Sequence, residues 1–455
     1  MVSRFPSSKR PSFVDCHRTL QRYPFSAFSK NHHSTYPDIA VSFPGRRLDS
    51  TTDSPTWLDF SIIIEAKATK DEDPFKRRGL KYSKTLVQLS VNARNLMHAH
   101  GSLATFVLGL YGDILRIVRF DHACAVVSQP FDIHNDGDVD LVRRFFWQFS
   151  HPCAGDTVVG CDPTVRHLTI ADQKWLLGRL ELIGETIDPA VLPETRGVDI
   201  LTKDGDTKPY IMYKVLDSNG RLFSRSTTVW RAVLDTRLRV DKKLTDPPPT
   251  QDDLKIRIVK EAWRQLARRP ESDFYERLKE SIPDEERIGL PTVVCGGDIG
   301  EHEVERWEET IHGLSTPRES DRLRENYRHA TRLSALASSA ASDVHALSIS
   351  QSLSSSDGSD PTLPIHRPMH QTFTWRQLYG EKYWHRERSQ MRLVVDAVGR
   401  PITQFRSTKE MVTAMRDSLR GQITVRLVTF FIYSHTAFVR TSGGHCPRWD
   451  PPAGR

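Results

Sequence analysis

The sequence contains no long apolar run and no paired cysteines. The apolar stretch 427–433 follows Arg426 and is far shorter than the roughly 20 apolar residues that span a bilayer. None of the six cysteines forms a Cys-x-x-Cys pair, which argues against a zinc ribbon and a disulfide scaffold and favours a reducing, intracellular compartment, cytoplasmic or nuclear. We therefore expect no membrane partner.

The sequence also lacks a strong excess of either charge. Lys plus Arg number 64 and Asp plus Glu number 57, so the net charge is only +7 over 455 residues. A nucleic acid is therefore a weakly supported partner. The sequence has no Gly-x-Ser-x-Gly, His-Glu-x-x-His or Walker P-loop motif, which excludes the usual forms of the serine-hydrolase, zincin and P-loop sites.

Changes in composition along the chain predict six segments. A basic lead is expected to be disordered, because chain termini are poorly ordered unless contacts tie them down. Two mixed α/β segments follow, and then a Ser/Ala-rich segment that is expected to be largely disordered. A short segment that begins Met-Arg-Leu-Val-Val and an aberrant tail complete the chain. In order, the predicted segments are 1–35, 36–165, 166–300, 301–390, 391–421 and 422–455.

The second segment contains polar residues in an order that suits metal chemistry. Asp38 follows a proline, Glu65 and Lys67 lie two residues apart on an Ile-rich strand, and Gln88 lies on the next amphipathic helix. The two-residue spacing places Glu65 and Lys67 on one face of the strand. This order resembles the PD-(D/E)xK nuclease fold, which implies two carboxylates that hold Mg²⁺ and a lysine that orients the attacking water. The helix has Asn92 where related nucleases often carry tyrosine, and a decayed fold or a surface Glu-x-Lys pair is the alternative interpretation.

The third segment contains a pattern that suits an ATP site. A strand–turn–strand pattern covers residues 222–230, and its turn is Ser-Arg-Ser-Thr, 224–227. Glycines are usual in such a turn, because the backbone approaches the phosphates closely and takes positive φ. Lys260 ends the alternating strand Ile-Arg-Ile-Val-Lys, and the following helix offers Glu271 or Glu276 as the carboxylate that fixes this lysine, with Glu271 preferred.

Several of these motifs resemble those of the fungal-type protein kinase family. They are Ser-Arg-Ser-Thr-Thr-Val-Trp (224–230), Val-Lys-Glu-Ala-Trp (259–263), Arg-Arg-Pro-Glu (268–271) and the long stretch 392–410. Earlier motifs of the same family are Trp57 to Lys67, Gln88-Leu89 and Gly160 to Thr164. Each motif is weak by itself, but their order makes the resemblance specific, and it extends from about 36 to 421.

The two resemblances imply an α+β or α/β fold. A nuclease-like α/β domain (36–165) precedes a kinase-like small lobe (166–300), and the hinge and first helix of an incomplete large lobe follow at 391–421. The kinase resemblance implies ATP and Mg²⁺ as cofactors and phosphoryl transfer to protein serine or threonine. The residues that it implies for the nucleotide are Ser224, Ser226, Thr227, Val229, Lys260, Glu271, Asp396 and Val398. Among these, Lys260 contacts the α/β-phosphates, Glu271 braces Lys260, and hinge backbone groups meet adenine.

The family pattern continues with a catalytic loop and an Asp-Phe-Gly segment, and this sequence has neither after Gly421. We therefore expect no kinase activity from the chain as it stands, and no residue is assigned as a catalytic base. Two other classes of function stay open. One is a Mg²⁺-dependent nuclease that acts through Asp38, Glu65 and Lys67, and the other is a pseudokinase that serves as an interaction scaffold.

Overall fold

The computed structural model describes two compact units. The first comprises Met1–Pro270 with Val294–Val395, and the second comprises Glu271–Val293 with Asp396–Arg455. The residues that the structure describes are 2–48, 55–76, 80–152, 157–202, 205–240, 243–283, 287, 291–313, 369–396, 407–409, 411–413 and 415–416. Val398, the middle of the predicted Ser/Ala-rich segment and the predicted tail 422–455 lie outside these ranges.

The secondary structure is mixed, and the α+β class predicted from the sequence is confirmed. The strands are β1 (Phe13–Asp15), β2 (Ile39–Ser42), β3 (Phe60–Lys67), β4 (Ala104–Tyr111), β5 (Ile114–Asp121), β6 (Ala125–Val127), β7 (Phe131–Asp132), β8 (Val165–His167), β9 (Arg196–Leu201), β10 (Thr207–Ser218), β11 (Thr228–Leu234), β12 (Leu238–Val240), β13 (Lys243–Thr245), β14 (Arg257–Gln265), β15 (Val293–Asp298) and β16 (Arg388–Val395). The helices are α1 (Leu80–His100), α2 (Asp136–Phe149), α3 (Ile170–Leu182), α4 (Glu271–Ser281), α5 (Ile299–Gly313) and α6 (Thr374–Tyr379). Within the described ranges, no helix has the length and apolar character needed to cross a membrane.

The first sheet has the order β1-β2-β3-β4-β5-β6, with β7 beside β5. Its β3 and β4 are parallel, and α1 makes the crossover that a parallel pair requires. Ile63 packs in one apolar cluster with α1, whereas Ile62 and Ile64 pack in another with α2. The Ile-rich β3 is therefore covered on both faces by helices, which explains its nearly continuous apolar sequence.

The second sheet has the order β15-β16-β14-β11-β10-β9-β8. Trp230, Val259 and Val394 belong to the core of one face, and helix α3 packs over part of the other face. The lead was predicted to be disordered, and for its described residues, 2–35, this prediction is wrong. Strand β1 pairs with β2, and Phe25 is buried in the core of the second sheet, so the lead is tied down by apolar contacts.

The segment 301–390 is also more ordered at its ends than the sequence predicted. Helix α5 continues to Gly313, and residues 369–390 contain α6 and the start of β16. His370 is almost fully buried and contacts Glu303 of α5. Long-range packing of this kind orders a segment whose composition favours a linker. In the second unit, α4 contains Glu271, and residues 408–409, 411–413 and 415–416 are also helical.

Candidate functional sites

Lys260 lies on β14, between two apolar residues of the neighbouring strands. It is directly opposite Val229 of β11 and Leu393 of β16. Residues opposite each other in antiparallel strands project from the same face of a sheet. The face that carries these three residues is called the lysine face below. Leu393 is buried, whereas Val229 and Lys260 are half-buried, so the ammonium group can attract a phosphate while its apolar stem packs beside Val229.

The turn before β11 is stabilised from within. Ser224 Oγ donates a hydrogen bond to Arg221 O at 2.6 Å and accepts one from Ser226 N at 3.0 Å. Ser226 has φ of 43°, in the left-handed region, which agrees with the expectation that this turn needs positive φ. Leu222 is buried in the core of the first sheet, and residues 222–223 form part of the turn and not the predicted strand.

Ser226 and Lys260 are not brought together. Ser226 lines a cavity of about 40 Å³ together with Thr228, Trp230 and Glu261. Thr228 is paired with Glu261, the residue next to Lys260, whose side chain projects from the opposite face of the strand. The cavity has room for about one water molecule. The predicted covering of phosphates by Ser224, Ser226 and Thr227 remains a prediction.

The positive φ of Ser226 predicts how substitutions at this position behave. Ser226→Gly should stay within about 1 kcal/mol of the wild-type unfolding free energy, because glycine takes positive φ without a steric penalty. Ser226→Val should lose about 1–3 kcal/mol, because a β-branched residue is strained there. Chemical denaturation of both variants is the measurement. Equal stabilities for the two variants would show that the backbone strain is absent.

Two more of the predicted nucleotide residues lie in the second unit. Glu271 begins α4, and Asp396 N donates a hydrogen bond to Thr292 O at 2.9 Å. Because Lys260 belongs to the first unit, the ion pair between Lys260 and Glu271 stays a prediction.

Arg392 connects three of the family-like motifs, and its role was not predicted from the sequence. Its fully buried guanidinium donates to Glu261 Oε1 at 2.9 Å, Asp162 Oδ2 at 2.7 Å and Thr164 Oγ1 at 2.6 Å. The arginine sits on the face of β16 opposite to Leu393, and therefore opposite to the lysine face. The signal available in the sequence was the Arg-Leu-Val motif itself, in which an arginine stands among apolar residues.

His370 extends the same network. Its Nε2 lies 3.0 Å from Asp162 Oδ1 and its Nδ1 lies 2.7 Å from Glu303 Oε1. Only the protonated imidazole can donate to both carboxylates. Burial acts to lower the pKa of His370, but Asp162 and Glu303 outweigh it and raise the pKa to about 9. For Asp162, burial is likewise outweighed, and the charges of His370 and Arg392 hold its pKa well below the usual value.

In the first sheet, the structure brings Asp38, Glu65 and Lys67 together. Lys67 Nζ lies 3.6 Å from Asp38 Oδ2 and 3.7 Å from Glu65 Oε2. Asp38 Oδ2 also accepts a hydrogen bond from Ala66 N at 2.7 Å, which fixes this carboxylate against β3. Glu65 is fully buried, whereas Asp38 and Lys67 are partly exposed. The site can therefore be reached from solvent on the side of Asp38 and Lys67.

Helix α1 contributes Asn92 to this site and not Gln88. Asn92 Nδ2 donates to Glu65 Oε1, and Asn92 Oδ1 accepts from Thr35 Oγ1 at 3.2 Å. Asn92 was missed as a functional residue, although a polar residue on the apolar face of α1 was a signal. Burial, followed by the charge of Asp38, raises the pKa of Glu65 to about 8, against the opposing effects of Lys67 and Asn92.

The donor atoms of this site suit a magnesium ion better than a metal that needs several protein ligands. In the described part of the chain, no three His, Cys, Asp or Glu residues are grouped to hold a metal. Mg²⁺ is commonly held by one or two carboxylates while its other ligands are water and phosphate. Asp38 and Glu65 supply such a pair. Glu65 Oε2 has no hydrogen-bond partner among the described residues and lies 3.7 Å from Lys67 Nζ, so a cation there would share this oxygen with the ammonium group.

Comparisons with known proteins give one match. The model of the family described as fungal protein kinase matches residues 37–426, which is more than half of the chain. No curated protein and no solved structure matches. The matched range contains both the lysine face and the site at Asp38, Glu65 and Lys67.

Proposed function

Because the chain belongs to the fungal protein kinase family, we propose that it binds ATP with Mg²⁺ on the lysine face of the second sheet. Kinase-like function follows from the family. The observation that carries the proposed site is the placement of Lys260 between Val229 and Leu393 on adjacent strands. In this proposal the ammonium group of Lys260 contacts the phosphates and Val229 contacts the base, while the buried Leu393 supports the strand.

The remaining parts of the nucleotide site are proposed from the same family membership. The family resemblance gives Glu271 the role of the carboxylate that fixes the lysine and Asp396 a place at the hinge, and both roles stay predictions from the sequence. Mg²⁺ would reduce the repulsion between the phosphates and so favour the bound conformation of the nucleotide. Phosphoryl transfer to a protein serine or threonine is the reaction that this family suggests. We assign no catalytic base within this chain.

The nucleotide site is tested by thermal stabilisation with MgATP. Ligand that binds the folded state raises the unfolding temperature, so MgATP should stabilise the wild type and Lys255→Ala, a control at an exposed lysine. Lys260→Ala should bind MgATP at least about tenfold more weakly, because one charge-assisted contact is lost. Equal stabilisation of Lys260→Ala would disprove the role of this lysine. No stabilisation of the wild type would favour a pseudokinase scaffold.

A second candidate function is metal-dependent hydrolysis of nucleic-acid phosphodiesters by the first sheet. The observation that favours it is the convergence of Asp38, Glu65 and Lys67 within 3.7 Å, beside an oxygen of Glu65 that has no hydrogen-bond partner in the described residues. Mg²⁺ at this site would neutralise negative charge on the phosphate oxygens. Lys67 would orient water or phosphate, and Asn92 would hold Glu65 in place.

Cleavage of DNA with and without Mg²⁺ tests this second function. Activity should need Mg²⁺, disappear in Lys67→Ala and persist in Lys260→Ala, because the two lysines belong to different sheets. We expect a loss of at least about 100-fold for Lys67→Ala, the usual scale for removing a group that acts in proton transfer or positioning. Cleavage that persists in Lys67→Ala would exclude this site as its source.

A further inference from the structure

Tyr111 ends β4 and carries a hydroxyl group that neither proposed function uses. Its side chain is fully buried, and the hydroxyl has no hydrogen-bond partner among the described residues. The same holds for the Oε2 atom of Glu65. Buried polar atoms without partners are uncommon and destabilise the folded state. Two such atoms on adjacent strands indicate that a small polar ligand satisfies both.

The register of β3 and β4 places Tyr111 and Glu65 on one face of the sheet. Glu65 is paired with Gly109, and Lys67 is paired with Tyr111, so all four residues lie on one face of the sheet. The ring of Tyr111 folds back over Gly109, where a Cβ atom would collide with the hydroxyl group. The hydroxyl therefore lies above Gly109, the residue of β4 that is paired with Glu65.

The other carboxylate that acts on Tyr111 is already occupied. Burial raises the pKa of Tyr111, and the charges of Asp73 and Glu65 raise it further. Asp73 Oδ2 accepts from Arg116 Nε at 2.9 Å and Nη2 at 2.8 Å, and its Oδ1 accepts from Phe75 N at 3.0 Å. Of these two carboxylates, Glu65 is thus the one with an oxygen, Oε2, that accepts no hydrogen bond from the described residues, although Lys67 Nζ lies 3.7 Å from it.

We propose that Tyr111 is a positioning residue of the divalent-cation site, and that its hydroxyl orients Glu65 Oε2 toward the cation through one bound water molecule. The inference rests on the second candidate function. Tyr111, Glu65 and Lys67 offer this water three polar partners, which is the number that a buried water typically has. Groups that orient a metal-binding carboxylate commonly change metal affinity 10- to 100-fold.

The test is a calorimetric titration of the full chain with Mn²⁺. Tyr111→Phe removes only the hydroxyl group, and Tyr213→Phe is the matched control, a fully buried tyrosine of the second sheet. Tyr111→Phe should bind Mn²⁺ about 10-fold more weakly. Tyr213→Phe should keep the wild-type Mn²⁺ affinity.

Unchanged Mn²⁺ affinity in Tyr111→Phe overturns the inference and leaves the second candidate function standing. No Mn²⁺ binding to the wild type overturns both. Weaker Mn²⁺ binding in Tyr111→Phe, in a protein that cleaves no DNA, supports the inference and rejects the nuclease. If Tyr111→Phe does not fold, a wild-type crystal soaked in Mn²⁺ decides. The inference requires anomalous density beside Asp38 and Glu65 and a water within hydrogen-bond distance of the Tyr111 hydroxyl, and it fails without that water.

Discussion

Replacing Arg392 with methionine should lower the unfolding free energy by about 3–5 kcal/mol, the scale for removing one partner of a buried ion pair. Methionine fills much of the same volume, so the expected loss comes from charge and hydrogen bonds. Asp162 and Arg392 are both fully buried in the native protein. Without Arg392, the carboxylate of Asp162 loses its hydrogen bond at 2.7 Å and Glu261 loses one at 2.9 Å. Equilibrium unfolding in urea is the measurement.

The control for this experiment is Arg388→Met on the same strand. Arg388 is partly exposed, and its hydrogen bonds to Trp263 O and Phe223 O are long, 3.4 and 3.5 Å. We expect it to cost less than about 1 kcal/mol, as partly exposed charged residues generally do. If Arg392→Met were as mild as Arg388→Met, the network would not be a main source of stability.

Because the folded protein holds His370 in its protonated state, the protein should become less stable when this histidine loses its proton at alkaline pH. The pKa of this histidine is about 9 in the folded state and 6.5 as the ordinary value, so between these pH values the folded state holds more protons than the unfolded state. Stability from this group is complete below pH 6.5 and is lost as the pH rises to about 9. The expected total is about 3 kcal/mol, from roughly 1.4 kcal/mol for each pKa unit.

The variant His370→Gln should remove this pH dependence and be less stable than the wild type at acidic to neutral pH. Glutamine cannot carry the charge that lies between Asp162 Oδ1 at 3.0 Å and Glu303 Oε1 at 2.7 Å. Urea unfolding at a series of pH values on both sides of the His370 pKa measures the effect. An exposed histidine, His385, supplies the control His385→Gln, which should keep the wild-type profile. A slope that survives in His370→Gln would have to come from other groups.

The effects expected for Arg392→Met and His370→Gln bear on function because of where the buried network of these two residues lies. Glu261 follows Lys260 on β14, and Arg392 precedes Leu393 on β16, so each is next to a residue of the lysine face. The network therefore fixes these two strands from the face opposite to the lysine face. Losing it should weaken MgATP binding through the alignment of β14 with β16, in addition to lowering stability.

The sequence by itself determined which residues share a face on each strand. The period of two places Glu65 and Lys67 on one face of β3, whereas the strand that was predicted to end at Lys260 continues to Gln265. The ordered motifs identified the family, and the family model matches over 37–426. These motifs are local properties, because each depends on residues that are close in the chain.

Only the tertiary structure decided which distant residues meet. Asn92 reaches Glu65 across 27 positions, and Arg392 reaches Asp162 across 230. No periodicity reports a pairing at such separations, because register between strands and the packing of helices set it. The same reason explains why the order of the lead was missed. Its composition predicted disorder, but Phe25 is buried in a core built from the strands of the second sheet. Both the first-sheet site and the buried network depend on side chains that meet in space. The sequence showed these side chains only as separate residues.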